Sequence, residues 1–346
     1  MIDQIRVDAD SMVPKYLQII NSIISSISNG KVKVGDKVPS INKLSQEFYL
    51  SRDTVERAYR VLKKRKVIVS VHGRGTYIAK TQLISKLNVL FFVNKLSPYK
   101  MMIYNAFLKE MGENCHADLH SYHCDETLFS ELMAKYKSTY DYYVIAPHFR
   151  TDNLSYASFT SKVNTIINNI PKEKLVLLDT DNNDIKGDFI QIYQDFETDI
   201  YNALETGQDK ITKYKKITLV YPKKAFYPYP TKILDGFIKY CVNNHFNFEV
   251  VEEVTNEFKI EADNLYVTIE ETDLVSLMTK IKHSNLKLGT NVGVISYNDT
   301  PLKQILGVTV ISTDFEAIGK QTAKMITENK KEKIKAPFYF IDRESA

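Results

Sequence analysis

Three groups of residues in this sequence have the types and spacing to do chemistry. The first lies between positions 40 and 75: Ser40, Ser51, Arg52, Thr54 and Arg57, then His72-Gly73-Arg74-Gly75. A guanidinium can take the O6 and N7 of guanine bidentately, and a threonine methyl can meet that of thymine. Serines that open helices can cap free amides. Arg74 at a Gly-flanked tip can enter or flank a minor groove. The second group is YPKKAFYPYP at 221–230, where Tyr221, Phe226, Tyr227 and Tyr229 surround Lys223 and Lys224. Such rings stack on the apolar face of a sugar, and the same patch would equally suit a dimer interface. The third group is Cys115, His116, His120, His123 and Cys124, a set of transition-metal ligand types within ten residues. LHSYHC also alternates as a strand, which puts His120, Tyr122 and Cys124 on one face and His123 on the other. The strand reading is preferred, and no metal or other cofactor is expected.

The first group needs a scaffold, and the flanking residues supply one. Pro14 opens a helix, with Leu17, Ile20, Ile24 and Ile27 at helical spacing, and Asn29-Gly30 is expected to stop it. Gly35-Asp36 turns the chain. A second helix follows Pro39, with Ser40 as N-cap and Leu44 and Phe48 inward. A third follows Ser51, with Val55, Ala58, Tyr59 and Leu62 as its apolar stripe. Its other face carries Arg52, Thr54, Glu56 and Arg57 near the helix start, the part that reaches into a major groove most easily. Lys63, Lys64, Arg65 and Lys66 suit the phosphate backbone. Two strand-like runs, 67–71 and 76–79, meet at His72-Gly73-Arg74-Gly75 as a tight hairpin.

The charge distribution agrees. Residues 1–80 hold 15 Lys+Arg against 7 Asp+Glu, and the remainder holds 31 against 35. A basic head on a mildly acidic body is the asymmetry expected when one end meets a polyanion. A composition of 44% hydrophobic and 25% charged residues is that of a soluble globular chain. No run of about 18 apolar residues is present, so no membrane span is expected. The polar N-terminus lacks a signal-peptide core, and three cysteines make no disulfide framework. A cytoplasmic location is the expectation.

Taken together, PKYLQIINSI, SNGKVKVGDKVPS, LSRDTVERAYRVL and HGRGTYIA resemble the GntR-type winged helix-turn-helix regulators, from Pro14 through Ala79. The resemblance implies that Arg52 and Thr54 lie in the recognition helix and that Ser40 and Ser51 contact phosphates. It also implies that Gly73 and Gly75 shape a minor-groove wing, and that the protein is a homodimer on a two-fold-related operator. Asn42 stands where that family often has arginine, and an amide can read adenine or bind a phosphate. Asn42 and its neighbour Lys43 therefore join the candidate DNA contacts. Tyr49-Leu50 stands where the family usually has Gly-Val.

Domain boundaries are placed at 1–80 for the head, 81–86 for a linker and 87–346 for the body. The body alternates apolar runs at 88–93, 142–146, 175–178, 189–192, 217–220, 265–269 and 292–296 with helix-length segments at 102–111, 128–136, 195–205, 233–242, 273–283 and 314–327. That alternation predicts an α/β body of doubly wound parallel sheets in two lobes. Ligands are then expected just beyond the strand C-termini. GTNVGVISYNDTPLKQILGVTVISTDFEAIGKQTAKMIT resembles the LacI-type, periplasmic-binding-protein-like effector domain. YDYYVIAPHF, KLVLLDTD and ILDGF match it more loosely. The resemblance implies cleft-facing residues at His148, Asp179, Glu270 and Asn298. Ile233 stands where the family usually supplies arginine, and Lys232 or Tyr229 is the expected substitute. With Tyr227 from the aromatic stretch, these are the candidate effector-binding residues.

The expected function is a ligand-responsive, sequence-specific transcriptional regulator. Its partners would be operator DNA and a sugar or sugar derivative, and no membrane. The alternative is the same head on a pyridoxal-phosphate-dependent, aminotransferase-like body. No Schiff-base lysine context, Gly-rich phosphate loop, nucleophile elbow or usefully spaced carboxylate pair supports an enzyme.

Overall fold

The computed structural model describes residues 2–8, 11, 13–28, 31–79, 87–137, 139–181, 184–223 and 225–346. It divides into two compact units, Met1–Leu87 with Glu113–His116, and Asn88–Gly112 with Ala117–Ala346. The helix stop expected at Asn29-Gly30, the connector at 80–86 and Lys224 lie outside the described residues.

The head is three helices and a small sheet. Helix α1 (Lys15–Ser28), β1 (Lys37–Val38), α2 (Ile41–Glu47) and α3 (Arg52–Lys64) precede the hairpin β2 (Ile68–Val71) and β3 (Gly75–Ile78). Strand β3 lies between β1 and β2, antiparallel to both. The periodic residues of α1 and α3, including Ile20, Ile24, Ile27, Val55, Ala58 and Leu62, form one core with Leu44, Val67 and Ile78. Each Ile, Leu or Val side chain among them contributes roughly 1.5–3 kcal/mol on removal from water. The N-caps are those the sequence predicts: Ser40 Oγ accepts from Lys43 N, and Ser51 Oγ accepts from Thr54 N, both at 3.2 Å.

The body has two six-stranded sheets. In chain order its first part contains β4 (Leu87–Val93), α4 (Pro98–Met111), β5 (Cys115–Ser121), α5 (Glu126–Tyr136), β6 (Tyr142–Ile145), the short pair β7 (Phe149–Arg150) and β8 (Tyr156–Ala157), α6 (Ser161–Asn168), β9 (Leu175–Asp179) and β10 (Ile190–Tyr193). The second part contains α7 (Phe196–Thr206), α8 (Gln208–Ile211), β11 (Lys216–Val220), α9 (Thr231–Asn243), β12 (Asn247–Val251), β13 (Asn264–Thr268), α10 (Glu271–Lys282), β14 (Val292–Tyr297), α11 (Pro301–Ile305), β15 (Thr309–Thr313), α12 (Phe315–Thr327), β16 (Lys333–Lys335) and β17 (Phe338–Ile341). The N-lobe sheet runs β16-β10-β9-β6-β4-β5, and the C-lobe sheet runs β12-β11-β13-β14-β15-β17. Strands β4, β6, β9, β10 and β16 are parallel, as are β12, β11, β13, β14 and β15; β17 joins β15 antiparallel. Central strands such as LVLLD and VGVISY are buried along their whole length, as expected where helices cover both faces of a parallel sheet.

The chain crosses between the lobes three times. Helix α7 follows the N-lobe strand β10 but packs on α9 and β17 of the C-lobe, while α12 follows the C-lobe strand β15 but packs on α4 and β10. The third crossing runs from β16 to β17. The crossing segments are strapped together: Thr313 Oγ1 donates to Gln194 Oε1 (2.6 Å), Asp314 N to Pro337 O (2.9 Å) and Ala336 N to Tyr193 O (2.8 Å). No helix among the described residues is long and apolar enough to cross a membrane.

Candidate functional sites

On the head, Asn42, Lys43 and Arg52 are exposed on the first turns of α2 and α3, Arg57 is exposed on the second turn of α3, and His72, Gly73, Arg74 and Gly75 form the exposed hairpin tip. The guanidinium of Arg57 also lies 4.0 Å above the ring of Tyr16, which preorganises it. The hydroxyls of Ser40 and Ser51 already serve their own helices, and Thr54 Oγ1 lies 2.7 Å from Ser51 Oγ. Any phosphate contact by these serines is therefore shared with capping. Gly73 and Gly75 have φ +73° and +116°, which side-chain-bearing residues rarely adopt, and a Cβ on Gly75 would meet Lys37 at 2.9 Å. Tyr77 OH donates to Arg74 O at 2.9 Å and braces the tip. Tyr49 is 96% exposed in the α2–α3 turn with φ +51°. It holds with a tyrosine a left-handed conformation that glycine adopts freely.

In the body, a cavity of about 300 Å³ opens between the lobes at the C-terminal ends of the strands. Asp179, 2% exposed, ends β9 and ion-pairs with Lys100 in the first turn of α4. Its other oxygen accepts from Gln194 Nε2 at 3.0 Å, so the pair connects directly to the Gln194–Thr313 strap. Asp179 and Asn298 both adopt left-handed backbone (φ +71° and +63°) at strand ends. Asp and Asn tolerate that region better than other side-chain-bearing residues. Three buried atoms on the wall lack a hydrogen-bond partner: Asn94 Oδ1, Tyr297 OH and Asn298 Oδ1. Tyr99 stacks on Phe315 (5.1 Å between centroids) and, with Phe196 and Tyr229, supplies aromatic surface.

The stretch 225–230 belongs to the C-lobe but bonds to the N-lobe across the cavity mouth. His148 Nε2 lies 2.7 Å from Pro228 O, His123 Nδ1 lies 3.0 Å from Tyr227 OH, and Arg150 donates to Phe226 O at 3.0 Å. Lys95 lies over the rings of both Tyr227 and Tyr229, at 5.1 and 5.2 Å. Burial lowers the Lys95 pKa, opposed by the nearby Glu270 carboxylate. Burial pushes His148 from 6.5 down to about 4, partly offset by its bond to Pro228 O. Its imidazole is neutral at pH 7 and is a hydrogen-bonding group rather than a cation.

Of the predicted effector residues, His148, Asp179, Tyr229, Glu270 and Asn298 line the cavity. Tyr227 does not; its ring covers Lys95 and its hydroxyl is turned to His123 at the rim. Lys232 does not either. It is exposed beside Thr231 and Pro230 in a second depression, because the first turn of α9 directs it away from the cleft. Asn94, Lys95, Tyr99, Lys100 and Tyr297 are wall residues that the sequence reading passed over. The strand-end rule applied to NKLSPYK after β4 would have found the first four.

The His/Cys cluster disperses. Strand β5 ends at Ser121, and His123 and Cys124 take left-handed φ values in a turn, so the expected alternation stops there. His120 packs against Phe92 and Tyr136, and Cys124 is buried beside Asn94. Among the described residues no group of three or more His, Cys, Asp or Glu could hold a metal ion.

The chain combines a winged three-helix head with a two-lobed α/β body whose lobes are joined by three crossings. The family profile for "Bacterial regulatory proteins, gntR family" matches residues 15–78. HTH-type transcriptional repressor YtrA of Bacillus subtilis is 39% identical over 83 residues, 23% of this chain and 64% of that protein. The arabinose metabolism transcriptional repressor of Geobacillus stearothermophilus is 34% identical over 71 residues, 20% of each chain. The chain thus spans less than two thirds of either relative. The body resembles the glucose-bound LacI family regulator of Lactobacillus casei in fold, with a TM-score of 0.58 at 12% identity over 75% of this chain and 99% of that one.

Proposed function

We propose that this chain is a ligand-responsive transcriptional regulator. The head binds operator DNA through Asn42, Lys43, Arg52, Thr54, Arg57 and the 72–75 wing, with Ser40 and Ser51 at the phosphates. The body binds a small polar effector, a sugar or sugar derivative, between its lobes, and the protein works as a homodimer. The observation that supports the ligand reading best is that three residues lining the cavity, Asn94, Tyr297 and Asn298, carry buried side-chain oxygens without a partner, in the same cavity as the Lys100–Asp179 pair. An unmet buried polar atom costs roughly 1–3 kcal/mol, and ligand hydroxyls can supply what these atoms lack. A cavity of about 300 Å³ suits a small ligand. Effector control follows if the ligand prefers one arrangement of the lobes, since only differential affinity moves an equilibrium.

The pyridoxal-phosphate alternative is not favoured, because the body's fold likeness is to LacI-type regulators. The test has two arms on the full chain. Binding to DNA upstream of its own gene should weaken steeply with salt. A panel of aldoses and their derivatives should contain a compound that raises the melting temperature with concentration and changes DNA affinity. Salt-insensitive or absent DNA binding would refute the regulator reading.

A further inference from the structure

One buried cation takes no part in the reading above. Among the described residues Lys303 is the one fully buried lysine, 1% exposed, in α11 just after the Asn298 turn. Its Nζ donates to Tyr297 O (3.0 Å) and Asn298 O (2.9 Å), and to Tyr99 OH of the opposite lobe at 3.5 Å. We propose that Lys303 is a positioning residue for the effector site. Its ammonium clamps the left-handed turn that carries Asn298 at the cleft wall, and ties that turn to Tyr99 across the cleft. This rests on the cleft being the effector site.

The charged form serves this turn best. An ammonium donates to all three oxygens, whereas a neutral amine has two N–H donors and a lone pair that Tyr99 OH can meet only by giving up its bond to Glu271. The surroundings make the proton labile. Asp299, adjacent to the turn, is engaged by Arg343 in two bonds of 3.0 and 2.7 Å and by Gln304 at 3.0 Å. Glu271, from α10, is 3.9 Å from Nζ and also accepts from Tyr99 OH at 3.4 Å. Burial lowers Lys303 from 10.5 to about 8; Glu271 and Asp299 oppose this, and Arg343 adds to it. The clamp therefore releases in mildly alkaline solution, where an exposed lysine would stay charged.

The amides of Asn298 and Asp299 report on the turn, since they donate to Ile311 O (2.7 Å) and Ser312 Oγ (2.9 Å). Hydrogen exchange on the full chain, corrected for intrinsic pH dependence, reads them without any ligand or DNA. In the native protein their protection should fall at least fivefold between pH 7 and pH 9, while Val294 and Ile295 of β14 change less than twofold. Lys303→Met should show the lowered protection already at pH 7, with no further dependence on pH. Flat protection in the native protein, equal loss along β14, or unchanged protection in Lys303→Met would each overturn the proposal. Because neither effector nor operator enters the experiment, its failure is separate from failure of the regulator reading.

Discussion

Replacing Lys100 with Met should destabilise the body by about 3 kcal/mol, the low end of the range for breaking a buried ion pair. The side chains of Lys100 and Asp179 are 11% and 3% exposed, so solvent screens the pair little. Without the lysine, Asp179 keeps one side-chain donor, Gln194 Nε2 at 3.0 Å, and a buried carboxylate needs more than one neutral donor to offset its lost hydration. Asp179→Leu should cost less, about 2 kcal/mol, because the flexible lysine can turn toward the open cleft. Lys100→Met with Asp179→Leu removes both charges and should lie within about 1 kcal/mol of the native protein. The assay is urea unfolding of the full chain, with the body's transition fitted separately from the head's, since two units need not unfold together. A coupling energy below about 0.5 kcal/mol would refute the reasoning, because independent sites add to within that margin.

Further expectations concern single positions. Tyr49→Gly relieves a left-handed tyrosine whose ring is almost wholly exposed; the head's melting midpoint should rise by the equivalent of up to about 1 kcal/mol, and a fall would mean that the ring has a stabilising role. His148 titrates near 4 when folded against 6.5 ordinarily, so the unfolded chain takes up its proton first. Stability should therefore fall by up to about 3 kcal/mol as pH drops from about 6.5 toward 4, and His148→Asn should flatten that slope in urea melts across pH. Gly236→Ala would place a Cβ 2.2 Å from Glu197 O and 2.6 Å from Ile200 Cγ2; separating α7 from α9 should cost about 1–3 kcal/mol in the same melts.

Much of the architecture was legible because the chain states it locally. The apolar run at 88–93 is the strand Leu87–Val93, and that at 292–296 is Val292–Tyr297. Both are buried over most of their length and read as predominantly apolar runs. Strands β12, β15, β16 and β17 were missed. Strands β12, β16 and β17 lie at sheet edges and are partly exposed, so their sequences do not separate from loop, and β15 (TVIST) is buried but rich in hydroxyl-bearing residues, so it does not read as an apolar run. Asp179 and Asn298 were picked out through the resemblance to the LacI-type effector domain, helped by the plainly apolar strand before each. Gln194, Phe196 and Phe315 could not be. They reach the cleft only because the chain changes lobe beside them, and no local pattern encodes a crossing. Lys303 was hidden for another reason: in TPLKQIL it has the pattern of a solvated helix lysine, and only the packing of Tyr99 and Glu271 over it makes it buried.

The three crossings also constrain how the molecule can be made. The sheet that begins with β4 near residue 87 gains its last parallel strand from residues 333–335, and α4 finds its packing partner in α12, about two hundred positions downstream. During synthesis the first lobe must therefore wait, with one edge of its sheet and one face of α4 uncovered, until nearly all of residues 87–346 have left the ribosome. Unpaired strand edges and exposed apolar surface at that stage favour aggregation and chaperone engagement. The head, whose core contacts all lie within about 75 residues, can complete its fold far earlier. A nascent chain would then carry a finished head well before its body is complete.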